Sequence, residues 1–226
     1  MNILKKWLNR LFIDGLSGMA MGLFATLIVG TILSQVGTLL IGGKVGSLLF
    51  SMGKVASNTY NNDFLGLSCT LPSEWVFYTE EQILEINNIV GDVVDDNVKK
   101  QLENASIIYD MYASYISEGS SINVNLEKLN AVQAVTLNIK NTLESQIGTI
   151  KSAYENMGYT DMDIGYQKVT VDGKEFDALK FTAKIQGIDF YGITFSFIKE
   201  NYLASIAVCS ILTDKNETIL GYFDVK

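Results

Sequence analysis

The chain has 226 residues, a formal net charge of −8 and no histidine. The lack of histidine excludes Ser-His-Asp triads, histidine general bases and most zinc sites. The charge is uneven, because residues 1–59 hold five basic residues and one acid, whereas the rest of the chain holds 12 basic and 24 acidic residues. Nucleic-acid binding requires basic residues that neutralise phosphates, so we expect no nucleic-acid partner for the acidic body.

A long apolar stretch near the N-terminus predicts a membrane anchor. No residue from 15 to 43 is charged, and a helix of about 20 apolar residues can cross the hydrocarbon core. We therefore expect an anchor at residues 1–57, with a transmembrane helix at about 12–41 and a short apolar segment after it. The apolar stretch is too long for the core of a cleaved signal peptide, so we expect it to stay uncleaved and to contact the lipid bilayer.

The flanking charges predict the orientation of this anchor. Positive charge is denser on the N-terminal side, in Lys5, Lys6 and Arg10. Since basic flanks stay in the cytoplasm, we expect a single-pass protein with its N-terminus inside and its body outside the cytoplasmic membrane. Val45–Met52 is apolar but too short to span. If it re-enters the membrane and returns the chain, the body lies in the cytoplasm instead.

Two glycines in the apolar stretch form a candidate helix-packing site. Gly18 and Gly22 have the GxxxG spacing, which lets two membrane helices approach closely. The partner of such a contact would be an envelope protein or another membrane helix. Glycine is common in membrane helices, so ordinary helix composition remains the alternative explanation.

The first quarter of the chain resembles a transport family. The segment KKWLNRLFIDGLSGMAMGLFATLIVGTILSQVGTLL, with Asp14–Met19 and the glycine-spaced apolar stretch after it, resembles the opening of the enzyme IIC-like membrane component of the bacterial sugar phosphotransferase system. The resemblance covers residues 1–57 and implies membrane insertion. The further membrane helices of that family have no counterpart in this sequence, so no transport residue is carried over.

The body is predicted to begin with a strand and a helix. Residues 58–63 are polar and turn-rich, which predicts a linker before a globular domain at 64–226. Alternating apolar residues over 64–71 predict a strand. Thr79 and Gln82 match a capping box, and the apolar spacing after them predicts a helix that ends or bends between 91 and 96.

The middle of the body predicts two strands and one long helix. Residues 106–116 are rich in Ile and Tyr, and residues 122–126 alternate with asparagines, so both are predicted strands. Apolar residues at steps of three and four predict a helix over 132–157 with one packed face, starting with Val132 and Val135. Gly158 is the expected C-terminal cap.

The last part of the chain predicts an antiparallel meander. Four strand-like stretches cover 163–171, 176–185, 190–199 and 202–212. Asp172-Gly173 and Gln186-Gly187 are hairpin turn sequences, and Glu200-Asn201 is a third tight connection. A short amphipathic helix is expected at 216–223.

This order of elements predicts an α+β fold, an antiparallel sheet covered by helices. The stretch Leu71–Trp75, LPSEW, together with the long late helix and the closing meander, resembles the PsbP/Mog1-like α/β/α sandwich over residues 64–224. That resemblance implies a binding or assembly module more than an enzyme. We therefore expect a membrane-anchored extracytoplasmic binding or assembly module without catalytic activity. The alternative is a truncated or accessory membrane component of a sugar phosphotransferase transport system.

The body offers few candidates for chemistry. It contains no nucleophile, dinucleotide or phosphate-loop motif, and we assign no catalytic, cofactor-binding or metal-binding residue and expect no cofactor. The acidic groups Asp92, Asp95 and Asp96, and Asp161 with Asp163, lack the oxygen ladder of a calcium loop. An aromatic-lined groove is the remaining candidate site, with Tyr109 and Tyr115 expected on one face of a strand. Its residues are Trp75, Tyr109, Tyr112 and Tyr115. The alternative is that these rings belong to the sheet core.

The two cysteines leave two interpretations open. Cys69 and Cys209 each lie in an apolar alternating stretch. They are either small buried hydrophobic residues or the two halves of one disulfide between an early strand and a late one.

Overall fold

The structure, a computed structural model, describes residues 52–87 and 107–226. Most of the expected anchor lies outside these ranges, as do the topology residues Lys5, Lys6 and Arg10, the helix-packing residues Gly18 and Gly22, and the cluster Asp92, Asp95 and Asp96. In the two described ranges, no helix is long and apolar enough to cross a membrane.

The described residues form strands and helices in an α+β arrangement. The strands are β1 Lys54–Ala56, β2 Thr59–Asn62, β3 Leu67–Thr70, β4 Val76–Phe77, β5 Ile107–Tyr115, β6 Ser120–Lys128, β7 Tyr159–Val171, β8 Lys174–Ile185, β9 Ile188–Lys199, β10 Tyr202–Ile211 and β11 Phe223–Val225. The helices are α1 Glu80–Ile86, α2 Ala131–Thr136, α3 Ile139–Asn156 and α4 Asn216–Leu220.

The strands form two antiparallel sheets. The small sheet has the order β1-β2-β3-β11, and the large sheet has the order β4-β5-β6-β10-β9-β8-β7. The expected meander of four strands is confirmed as β7 to β10. Asp172 and Gly173 have φ angles of 49° and 72°, as a type I′ hairpin turn requires. The turn at Gln186-Gly187 has the same pattern, with 52° and 81°.

The large sheet is covered differently on its two faces. Its small-sheet face carries Ile122, Val124 and Leu126 and packs against Tyr60 and Leu67 of the small sheet. Its helix face, which carries Leu179 and Phe181, packs against α3 through Leu143, Ile150 and Tyr154. The expected α/β/α sandwich is therefore corrected, because a sheet of four strands supplies much of one outer layer.

The linker expected at 58–63 is wrong. Residues 54–56 and 59–62 form β1 and β2, and Tyr60 is fully buried. Polar side chains occupy this stretch, but alternate positions point inward, since Thr59 and Asn61 are partly exposed while Tyr60 and Asn62 are buried. The polar composition of residues 58–63 predicted a linker, although the stretch contains strand β2 with the core residue Tyr60.

The long helix expected over 132–157 consists of two helices. Leu137 has extended backbone angles, and Asn138 then caps α3 by accepting a hydrogen bond of 2.9 Å from the backbone N–H of Asn141. The break turns the first two residues of the predicted apolar stripe outward. Val132 is 69% exposed and Val135 is 85% exposed. The end of the helix is as predicted, because Gly158 has φ +90°.

The remaining helix predictions are confirmed in part. Thr79 and Gln82 form the predicted reciprocal capping box of α1. The described part of that helix ends at Ile86, and the predicted end at 91–96 lies outside the described residues. The helix expected at 216–223 stops at Leu220, and after a turn of two residues Phe223 begins β11, which pairs with β3.

Candidate functional site

The four aromatic residues of the expected groove do not share one surface. The Trp75 ring packs against Tyr115, with ring centroids 6.1 Å apart, and against Tyr222 at 6.4 Å. These rings belong to the core beneath the small sheet. Tyr112 instead packs against Tyr78, with centroids 4.4 Å apart, and joins the core on the helix face. The large sheet therefore separates the proposed groove into two parts.

A β-bulge at Asp110 additionally places Tyr109 and Tyr115 on opposite faces of the large sheet. Tyr109 pairs with Asn125, but Met111 pairs with Val124, so Asp110 is an extra residue on β5. One extra residue reverses the alternation of side chains beyond it. Tyr109 and Tyr112 consequently lie on the helix face and Tyr115 on the other face. The prediction that Tyr109 and Tyr115 share a face was wrong.

The Asp110 carboxylate is buried and accepts three hydrogen bonds. The Tyr60 hydroxyl and the Asn62 amide donate to Oδ2 at 2.5 and 2.7 Å. The backbone N–H of Gly53 donates to Oδ1 at 2.9 Å. The donors all come from the start of the small sheet, so this group joins the first described residues of the chain to β5, next to one edge of the large sheet.

Burial dominates the electrostatics of this group. Burial raises the pKa of Asp110, and its three hydrogen bonds oppose that shift without cancelling it. Burial and the neighbouring Asp110 carboxylate raise the pKa of Tyr60. The carboxylate is surrounded by protein donors and closed to solvent, so it links two sheets and presents no accessible acid or base. The feature of the sequence that could have indicated this buried group is the single acidic residue within the apolar strand Ile107–Tyr115.

A second set of polar side chains is buried on the helix face. Asn125, Ser205 and Ser196 are paired in one row across β6, β10 and β9. The hydroxyl oxygens of Ser196 and Ser205 lie 3.0 Å apart, and the Asn125 amide donates to Asn123 Oδ1 at 2.8 Å. Asp177, on β8, continues the row beside Ser196. The asparagines that alternate in the predicted strand are therefore core residues and do not form a solvated face.

Glu127 is the least satisfied group of this set. It is fully buried on β6 beside Ile107 and Leu203, and neither carboxylate oxygen has a hydrogen-bond partner in the structure as described. Burial raises its pKa to about 8. The side chain is closed to solvent, and its raised pKa favours the protonated carboxyl group inside the core at neutral pH.

The described residues contain no group of three or more Cys, His, Asp or Glu side chains that could hold a metal ion. Asp161 and Asp163 are both exposed, and Asp161 has φ +52° at an irregularity in β7. Neither acid is therefore presented with the convergent oxygens that a calcium site requires.

The two cysteines are separate buried thiols and do not form a disulfide. Cys69 and Cys209 are both free and buried. Cys69 lies in the core between the sheets, whereas Cys209 lies in the core beneath α3. Burial raises the pKa of both thiols, so neither presents a reactive thiolate.

The turns Asp172-Gly173 and Glu200-Asn201 lie at the same end of the large sheet. We call this the proximal end. The small sheet shares this end, because the Phe64 ring lies 5.6 Å from the Tyr202 ring and Lys174 Nζ donates to the Val225 carbonyl at 2.8 Å. β1 also begins here, since Lys54 pairs with Asn61 next to the turn between β2 and β3. The residues before β1 thus join the domain at its proximal end.

Helix α2 lies at the same end. The backbone N–H of Leu129 donates to the carbonyl of Asn201 at 2.7 Å, which fixes the start of α2 beside the turn between β9 and β10. The usual distribution of side chains on a surface helix is reversed in α2, because the polar Gln133 is buried whereas the apolar Val132 and Val135 are exposed. The proximal end is therefore where the preceding chain arrives and where an apolar helix face is open.

Comparison with known proteins gives structural likenesses only. No family model and no curated protein matches the chain. It is similar to cyanobacterial PsbP (CyanoP) from Synechocystis sp. PCC 6803, with a TM-score of 0.48 and 11% identity over 81% of this chain and 98% of that chain. PsbP is also the family named by the resemblance of residues 64–224.

Two further solved structures share parts of the arrangement. A protein from Bacteroides thetaiotaomicron VPI-5482 has a TM-score of 0.39 and 8% identity over 79% of this chain and 49% of that chain. LpqN from Mycobacterium tuberculosis, described as involved in cell envelope biogenesis, has a TM-score of 0.35 and 10% identity over 68% of this chain and 75% of that chain. At these TM-scores and identities, none of the three carries an argument about family or function. Both family resemblances stay predictions.

Proposed function

We propose that this chain is a membrane-anchored, extracytoplasmic binding or assembly module without catalytic activity. The observation that carries the proposal is the way in which the chain joins the domain. Residues 1–51 include the uncharged stretch from 15 to 43, and they meet the folded domain at the proximal end. An anchor attached there leaves the opposite end of both sheets free to meet a partner away from the bilayer.

The polar groups of the described domain support a role without chemistry. Asp110 and Glu127, the two acids with raised pKa values, are buried and closed to solvent. General acid–base catalysis needs a titrating group within hydrogen-bond reach of a substrate. Both groups are out of reach of a substrate, which favours a scaffold that binds through its surface.

The charge of the body favours a position outside the cytoplasmic membrane and disfavours a nucleic-acid partner. The residues after 59 contain twice as many acids as bases, whereas the N-terminal flank of the apolar stretch is basic. A basic flank suits the anionic inner leaflet, and the acidic body suits the outer side, because the anionic inner leaflet would repel it.

Alkaline carbonate extraction of membranes tests the anchor directly. The full chain should stay in the membrane pellet after washing with high salt and with carbonate, because an inserted apolar helix is not released by removing electrostatic contacts. A fragment of residues 52–226 is the matched control and should be recovered in the soluble fraction. Release of the full chain by carbonate would contradict the proposal.

A pull-down with the soluble fragment tests the binding role. Fragment 52–226, fixed to a support at its N-terminus, presents the end of the domain that an anchored protein turns away from the bilayer. We expect it to retain an envelope protein, peptide or glycan from a detergent extract. Retention should be lost after heating the fragment past its unfolding transition, which controls for adhesion to the support.

A further inference from the structure

We infer that α2 is a membrane-contacting element, which rests its exposed face on the lipid surface beside the N-terminal anchor. The inference rests on the proposed membrane attachment and adds to it a defined contact and orientation of the domain. The occupant of the apolar face is a lipid bilayer, and Val132 and Val135 are the residues that touch it.

The shape of α2 supports a contact of this kind. Val132 and Val135 are three residues apart and therefore lie on the same side of the helix. They are 69% and 85% exposed, and Ala131 beside them is exposed as well. The opposite side holds Gln133, which is buried and bonds through Oε1 to the backbone N–H of Asn130 at 2.8 Å. Because Gln133 occupies the buried side of α2, the valines face outward in the folded domain.

The position of α2 points to the bilayer as the occupant. α2 begins beside Asn201 at the proximal end, and β1 begins at the same end. The uncharged stretch ends at residue 43 and β1 begins at Lys54, so ten residues connect that stretch to this end of the domain. An anchor here holds the proximal end close to the membrane, and α2 is then held beside the lipid surface.

The local charge agrees with a lipid contact. Residues 128–143 contain Lys128 and Lys140 and no acidic residue, in a body with twice as many acids as bases. Helices that lie in a membrane interface combine an apolar face with basic flanks. Lys128 and Lys140 stand on either side of α2, and Lys140 also lies 4.0 Å from Glu144 and 5.1 Å from the centre of the Tyr166 ring. The contact therefore depends mainly on the valines, which enter the headgroup region.

A second copy of the chain is a weaker occupant. Stable protein interfaces bury at least about 1,200 Å² in total. α2 has six residues and is only about 9 Å long, so its apolar face is too small to hold a dimer by itself. A lipid surface requires no such area, because the transmembrane segment already supplies the attachment.

The test compares two exposed valines in the full chain reconstituted into vesicles. Val135→Cys and Val76→Cys are each labelled with an environment-sensitive fluorophore, and the vesicles contain phosphatidylcholine and phosphatidylglycerol with or without nitroxide-bearing lipid. Val76 is 59% exposed on β4, which pairs with Ser114 at the far end of β5, so it is the matched control. The wild-type chain gives the labelling background of the two buried cysteines.

We expect a blue-shifted emission and strong quenching by nitroxide lipid at position 135, and neither at position 76. Equal quenching at the two positions, or none at either in chains that resist carbonate extraction, overturns the inference and leaves the anchor intact. A blue shift at 135 without quenching indicates protein contact, such as a second copy, and also overturns it. Failure of the chain to enter the vesicles overturns the proposed membrane attachment itself.

Discussion

Tyr60 donates a hydrogen bond of 2.5 Å to Asp110 across 50 residues of sequence, and this contact ties the small sheet to a bulge in the large sheet. Asn62 and the backbone of Gly53 bind the same carboxylate. The start of the described domain is therefore fixed to the core next to the position at which the N-terminal segment joins. This gives the junction with residues 1–51 a defined place relative to the two sheets.

Replacing Asp110 should weaken the fold strongly. In Asp110→Ala the Tyr60 hydroxyl, the Asn62 amide and the Gly53 N–H lose their acceptor, and buried donors without partners cost about 1–3 kcal/mol each. We expect the free energy of unfolding of fragment 52–226 to fall by roughly 3 kcal/mol or more in urea denaturation. Asp63→Ala, at an exposed position, should change it by less than about 0.5 kcal/mol. Similar values for the two variants would contradict a stabilising role of the hydrogen bonds to Asp110.

The boundary of the folded unit should lie before β1. A fragment of residues 52–226 should unfold in one cooperative thermal transition, because it keeps β1, β2 and the donors of Asp110. A fragment of residues 64–226 loses Tyr60 from the core and leaves one edge of β3 unpaired, so it should lack a cooperative transition by circular dichroism. Equal cooperativity of the two fragments would restore the linker interpretation of 58–63.

Glu127 should make stability depend on pH with a defined sign. Its folded pKa of about 8 is above its ordinary value of 4.5, so the folded state holds a proton that the unfolded state releases. The contribution of Glu127 to stability is then fully present below pH 4.5 and is lost as pH rises to about 8. Within that window the loss approaches roughly 1.4 kcal/mol per pH unit.

The matched variants for this effect are Glu127→Gln and Glu144→Gln. Glu127→Gln cannot ionise, so the stability difference between it and the wild type should grow with pH up to about 8 and then stay constant. Glu144 is exposed on α3, and its variant should follow the wild-type curve. Urea denaturation of fragment 52–226 from pH 5 to pH 9 measures both. A Glu127→Gln curve parallel to the wild type would show that the carboxylate is solvated.

Gly192 should tolerate no side chain. It pairs with Phe181 across β9 and β8, and a Cβ at this glycine would overlap the Phe181 ring. Overpacking of a core typically costs about 1–3 kcal/mol, so Gly192→Ala should lower the free energy of unfolding by that amount. Gly165 has open space around its Cβ position, and Gly165→Ala should be close to neutral in the same thermal or urea measurement.

The meander could be predicted from sequence because its signals are local. Asp172-Gly173 and Gln186-Gly187 specify tight hairpins by their own backbone preferences, and the strands between them alternate cleanly. The α1 capping box was equally readable, since Thr79 and Gln82 satisfy each other within one turn. In each case the residues that decide the structure are neighbours in the chain.

The bulge and the helix break could not be predicted in the same way. Asp110 becomes a bulge residue because Tyr60 and Gly53 reach it from more than 45 residues away, and no local pattern records that contact. The apolar stripe predicts one continuous helix across residue 138, whereas the capping residues Asn130 and Asn138 favour two separate helices. The periodicity of the sequence does not show which of these two signals prevails. These two features decide which aromatics share a face and whether Val135 is exposed, so the candidate surfaces depended on the structure.

The side of the membrane on which the domain lies can be measured by the accessibility of Val76→Cys in the full chain to a membrane-impermeant maleimide. Val76 is exposed at the end of the domain away from the proximal end, and the native cysteines are buried. In right-side-out vesicles that retain the chain after carbonate washing, labelling before lysis should equal labelling after lysis. Labelling that occurs only after lysis would place the domain in the cytoplasm, as expected if Val45–Met52 returns the chain through the membrane, and would contradict the account.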